Sequence, residues 1–179
     1  MEMAPAVKEI RRCGSCTLCC KVLTVEELSK PNGKWCAHCV TGRGCAIYDS
    51  RPNECRAFQC GYILWPELGE HWLPARSKLV PSFKPDGMEI IIHVDPGVPN
   101  AWRAEPYYSE IRDMAGHAAN SPYTVFVQIG RRVIAVFPDR EVDLGVVGDD
   151  ERIAIREEPG PGGRRLGAVK LKVDDPRIV

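Results

Sequence analysis

The sequence predicts an α+β protein in two parts: a small cysteine-rich module with an aromatic connector over residues 1–80, then a mostly antiparallel sheet with one helix over residues 81–179. Two observations carry this expectation. All nine cysteines fall between Cys13 and Cys60, and none lies beyond. After Pro81 the apolar residues instead alternate in short runs, the period of half-buried strands, and a single stretch has helical spacing.

Taken in order, residues 1–12 read as a short tail. Thr24-Val25-Glu26-Glu27 has the form of a capping box and predicts a short helix that stops at Pro31-Asn32-Gly33. Ser50-Arg51-Pro52 reads as a second helix start, with Pro in the first turn and Gly61 as the terminator. Cys55 and Cys60 are five positions apart, about 140° around a regular helix, so they share a site only if that helix ends near Cys60. The aromatic, proline-punctuated stretch from Tyr62 to Pro81 is expected to cover the cysteine module.

The second part begins with a strand over Met88–Asp95. Tyr107, Ile111, Met114 and Ala118 mark a helix over Pro106–Ala118. Tyr123–Ile129 and Val133–Phe137 alternate, and Gly130-Arg131 between them suits a type II′ hairpin turn. Val142–Val147, Ile153/Ile155 and Val169/Leu171/Val173 supply three further strands, with the loop Pro159–Gly163 joining the last two.

Composition excludes several classes. The 24 basic and 24 acidic residues cancel, and no basic stripe accompanies the cysteines, so nucleic-acid binding is not expected. No apolar run approaches the roughly 20 residues of a membrane span. The N-terminus lacks the apolar core of a signal peptide. A cytoplasmic protein is therefore expected, and structural disulfides are rare in that reducing compartment. An odd count of nine cysteines also suits a pure disulfide framework poorly. The sequence shows no phosphate loop, nucleophile elbow or HExxH string, so nothing outside the cysteines argues for an enzyme.

Cysteines two residues apart let a turn aim two thiolates at one point, as zinc and iron–sulfur sites require. The candidate ligands are Cys13, Cys16, Cys19, Cys20, Cys36, His38, Cys39, Cys45, Cys55 and Cys60. Adjacent Cys19 and Cys20 cannot readily face one ion, so they serve two ions or one of them bridges. Arg51 and Arg56 flank the last ligands and are candidates to offset thiolate charge from behind.

Cys13-x2-Cys16-x2-Cys19-Cys20, followed by the stretch from Gly44 to Cys60 with its Arg51-Pro52 pair, resembles the YkgJ-type cysteine-cluster family. A similar segment is found in flagellin lysine methylases. The resemblance covers residues 13–65 and implies a zinc- or iron-chelating domain without implying a reaction. Zinc is the first expectation for the cofactor, and an iron–sulfur cluster is the alternative. The first three cysteines match a bacterial ferredoxin run, but Leu23 stands where that run has its fourth cysteine. The expected function is a metal-stabilised binding or adaptor module whose α+β half meets a protein partner. The alternative is an iron–sulfur protein that transfers electrons or assists a modifying enzyme.

Overall fold

In the computed structural model the fold is mixed α+β, with mostly antiparallel sheets, as the sequence predicts. It describes residues 11–84, 86, 88–119, 121–160 and 163–176. The expected tail therefore lies outside the described residues up to position 10, as do positions 161 and 162 of the expected last loop.

The cysteine module is made of very short elements. Helix α1 (Cys19–Val22) is followed by a single 3₁₀ turn at Glu26–Leu28. The short helix expected from the Thr24 capping box is present only as that 3₁₀ turn, with Val25 rather than Thr24 at its cap. Val25 instead pairs with Lys30 through Val25 N–H to Lys30 O and the reciprocal bond, both 2.9 Å, which closes the segment as a loop. A two-residue ribbon, β1 (Cys39–Val40) and β2 (Gly44–Cys45), precedes α2 (Asn53–Ala57). Pro52 stands at the cap of α2 rather than in its first turn. Gly61 does not terminate that helix. It opens α3 (Gly61–Leu64), where a side chain on it would sit 2.7 Å from the Trp65 ring. The chain breaks at Phe58–Cys60, so Cys60 escapes the helical geometry that would have turned it away from Cys55.

After α4 (Pro74–Ser77) the main sheet runs β3 (Leu79–Lys84), β4 (Glu89–Val94), β5 (Thr124–Ile129), β6 (Arg132–Val136) and β7 (Glu141–Val146), in that spatial order. Every neighbouring pair is antiparallel except β4–β5, which is parallel and is bridged by α5 (Tyr107–Ala118). Gly130 has φ +60° and Ile129 pairs with Arg132, the geometry a two-residue type II′ turn needs. Strand β3 escapes the alternation rule because its first four residues, Leu79 to Ser82, are all buried. A separate hairpin, β8 (Glu151–Gly160) with β9 (Gly163–Lys172), completes the chain.

Alternation gives the sheet two apolar faces. One presents Ile92, Val94, Val125, Val127, Ile134 and Val136 to Ile111 and Ala115 of α5. Tyr62, Leu68 and Trp72 of the connector join that core, so the connector covers the sheet as well as the cysteine module. Glu110 of α5 fastens it there, accepting from the Trp72 indole N–H and meeting His71 Nε2 at 3.0 Å. The opposite face is shared. Phe126, Val133 and Ala135 pack under the β8–β9 hairpin through Ala168, while Val80 on β3 packs against Leu18 and Val22 of the cysteine module. An ion pair locks the module to the sheet: Lys21 Nζ lies 2.6 Å from Asp95 Oδ1, with side chains only 19% and 11% exposed. Arg11 adds a second tie through the carbonyls of Tyr62, Trp65 and Leu68. No helix among the described residues is long and apolar enough to cross a membrane.

Candidate metal centre

The short elements of the module turn its cysteines inward. A turn closed by Cys16 N–H to Cys13 O at 2.9 Å sets the first pair side by side. Cys19 and Cys20 open α1, and although consecutive helical side chains diverge by about 100° their two thiols hydrogen-bond each other. The second knuckle is stitched to α1 by Cys36 N–H to Cys20 O at 3.0 Å. It is tightened in turn by Cys39 N–H to Cys36 O, also 3.0 Å. Cys39 then pairs with Cys45 across the ribbon. Cys55 projects from the middle of α2, and Cys60 caps α3.

All nine cysteines are free thiols and all nine line a single cavity of about 700 Å³. Its apolar wall includes Leu23, Ile47, Phe58 and Ile63, which keep part of the space from water. Within the cavity Cys20 links two groups of thiols, interacting with Cys13 and Cys19 as well as with Cys39. Cys60 interacts with Cys13 and Cys16, and Cys16, Cys19 and Cys60 pack on the same Leu18–Val22–Val80 cluster. Cys55 interacts with Cys20, Cys36 and Cys45, and Cys39 with Cys20 and Cys36. Among the described residues no three His, Cys, Asp or Glu side chains converge closely enough to grip one ion; the thiols stand around the wall instead. The nine thiols, soft ligands by chemistry, thus share one cavity without a preformed ligand set among the described residues.

Of the other expected residues, His38 is not among those lining the cavity. Its backbone carbonyl holds Ala46 N–H at 2.8 Å. Arg51 and Arg56 do reach the wall, but their guanidiniums bond loop carbonyls. Arg51 Nη1 donates to Tyr48 O at 2.8 Å and stacks 3.9 Å over the Tyr48 ring, and Arg56 donates to Arg51 O and Asp49 O.

Five of the thiols resist ionisation. The hydrogen bond with Cys19, then burial, raises the Cys20 thiol well above its ordinary range. Burial pushes Cys60 up to about 11 and also raises Cys13, Cys39 and Cys55. A metal entering this cavity must therefore displace protons, which makes its binding pH-dependent.

Two groups at the site carry no sequence signal. Thr17 is buried beneath the second knuckle, where its side chain hydrogen-bonds the Cys39 thiol and its Oγ1 accepts from Gly42 N–H at 3.4 Å. Lys30 is only 6% exposed and lies near Cys36, Cys20, Cys19 and Cys55. A lone lysine before a Pro-Asn-Gly turn reads as solvated, so only the fold reveals its burial. Compared with family models, curated proteins and solved structures, the chain matches none, and the reading of this site rests on its own residues.

Proposed function

We propose that residues 13–60 form a metal-binding cysteine-cluster module that holds zinc through thiolates and presents the α+β half to a protein partner. One observation carries the reading: nine free thiols line one cavity. Cys13, Cys16, Cys19 and Cys60 are the ligands on one side. Cys20, Cys36, Cys45 and Cys55 are those on the other, with Cys39 beside them. When bound, the metal supplies the cross-links that these short elements lack. Residues 13–60 contribute few side chains to the buried cores, chiefly Leu18, Val22 and Val25, so their ordering entropy needs another source of stability.

An iron–sulfur cluster is the second reading. It is favoured by the match of Cys13, Cys16 and Cys19 to the start of a bacterial ferredoxin run. Iron–sulfur clusters absorb in the visible and zinc thiolates do not, so colour separates the two. The shared claim is tested by alkylating the native protein anaerobically with and without a chelator. Metal-held thiols resist alkylation until the chelator is added. Rapid labelling of all nine cysteines in untreated protein would overturn both readings.

A further inference from the structure

The β1–β2 ribbon holds two of the nine thiols in a fixed relation. Cys39 of β1 stands directly opposite Cys45 of β2, with Val40 opposite Gly44. The ladder bond falls on the neighbouring pair, Ala46 N–H to His38 O at 2.8 Å, so Cys39 and Cys45 are a non-hydrogen-bonded pair. In such a pair the Cα atoms lie about 4.5 Å apart and both side chains leave the same face of the ribbon. A disulfide needs Cα atoms about 4.4–6.8 Å apart, so this backbone accepts one without rearrangement. The tight loop over 41–43 pins the register, closed by Arg43 N–H to Val40 O at 2.8 Å with Gly42 at φ +73°. Both thiols line the cavity, and neither is fully buried. Cys36 and Cys39 lack this relation, because the turn that joins them only bounds their Cα atoms to within about 7 Å.

Building on the metal-binding reading, we propose that Cys39 and Cys45 are a peroxide-sensitive pair whose oxidation to a cross-strand disulfide withdraws Cys45 from the metal-ligand set. Cys39 is the thiol in excess of the two sets of four, and the ribbon places it opposite a member of one set. The chemistry needs one oxidant, a peroxide. The Cys39 sulfur takes one peroxide oxygen as the O–O bond breaks, giving a sulfenic acid and one water. The Cys45 sulfur then displaces that oxygen as a second water, and the S–S bond forms. Two thiols lose two electrons and two protons, and hydrogen peroxide is reduced to two waters. The resting Cys39 thiol hydrogen-bonds Thr17 and Cys20, so rotation about its Cα–Cβ bond carries it to Cys45. A Cys45 sulfur held in that bond is lost to a metal, and reduction returns it.

The test treats zinc-loaded wild type and Cys39→Ser with hydrogen peroxide in oxygen-free buffer. Released zinc is followed with a chromogenic chelator, and disulfides are mapped over time by mass spectrometry of unreduced peptides. In wild type the Cys39–Cys45 linkage should form first, zinc should leave in step with it, and dithiothreitol should restore zinc binding. Cys39→Ser should release zinc more slowly by on the order of tenfold or more, because the thiol held opposite Cys45 is gone. Equal release from the two proteins overturns the proposal. So does a first linkage of Cys36 to Cys39 or of Cys20 to Cys39. The mapping needs no variant, so it decides the matter even where Cys39→Ser folds poorly. If the wild type takes up neither zinc nor iron, the metal-binding reading falls and the withdrawal of a ligand with it. If the wild type loads normally but links other cysteines first, only the inference falls.

Discussion

His93 gives the main sheet a built-in sensitivity to acid. It sits on β4 directly opposite Val80 of β3 and Gln128 of β5, on the sheet face shared by the cysteine module and the last hairpin. The residue is 8% exposed, its Nε2 lies 2.9 Å from Ser82 Oγ, and its buried Nδ1 has no acceptor to receive a second proton. Burial pushes its pKa from 6.5 down to about 4, against a small opposing contribution from Gln128. Above pH 6.5 the imidazole is neutral in both folded and unfolded chains, so it adds no pH dependence. As pH falls from 6.5 towards 4, the unfolded chain takes up a proton that the folded chain refuses, and stability is lost. At about 1.4 kcal/mol per unit, the full loss is about 3 kcal/mol by pH 4. The assay is urea unfolding of wild type and His93→Gln, both as purified, at a series of pH values from 7 to 4, so that any metal release at low pH is common to the two. Gln keeps a partner for Ser82 and cannot titrate. The stability of wild type relative to the variant should fall by about 3 kcal/mol over that range. Parallel curves for the two proteins would refute the reasoning.

Three further outcomes follow from the same structure. Lys21→Met strands Asp95 as a buried, unpaired carboxylate and should cost about 3 kcal/mol in chemical denaturation, whereas a Lys21→Met/Asp95→Leu double variant should recover much of it. Chelation should strip hydrogen-exchange protection selectively from residues 13–60 and leave β4, β5 and α5 protected, because the Ile92–Ile111–Val127 core does not depend on the metal. Unchanged protection in the module after proven metal removal would contradict that. Cys39→Ser should retain the full metal complement, since Thr17 already engages that thiol and eight other cysteines remain, whereas Cys36→Ser or Cys55→Ser should lose metal.

Where the chain obeys simple periodicity, the sequence is a good guide. The α5 stripe, the β5–β6 hairpin with its Gly130 turn, and the later strands were legible because their apolar residues recur at helical or alternate spacing, even though β5 and β6 bury both faces. Strand β3 was not legible, since its buried run from Leu79 to Ser82 has no alternation to read. Local capping signals misled in the cysteine module. The Thr24 box gave way to the Val25–Lys30 loop closure, and Gly61 opens a helix because Trp65 needs the space of its missing side chain. There, tertiary contacts outweigh a helix propensity of a few tenths of a kcal/mol per residue. The candidate ligands were legible from spacing alone. Their gathering around one cavity, the position of His38 outside it and the burial of Lys30 depend on contacts that no local pattern encodes.

The measurement that bears most directly on the central claim is elemental analysis of protein expressed in metal-replete medium and purified without oxygen. The account predicts zinc, or iron with visible colour, in stoichiometric amount, bound by cysteines that are free thiols once the metal is chelated. Protein that carries neither metal and whose cysteines are joined in disulfides would contradict it.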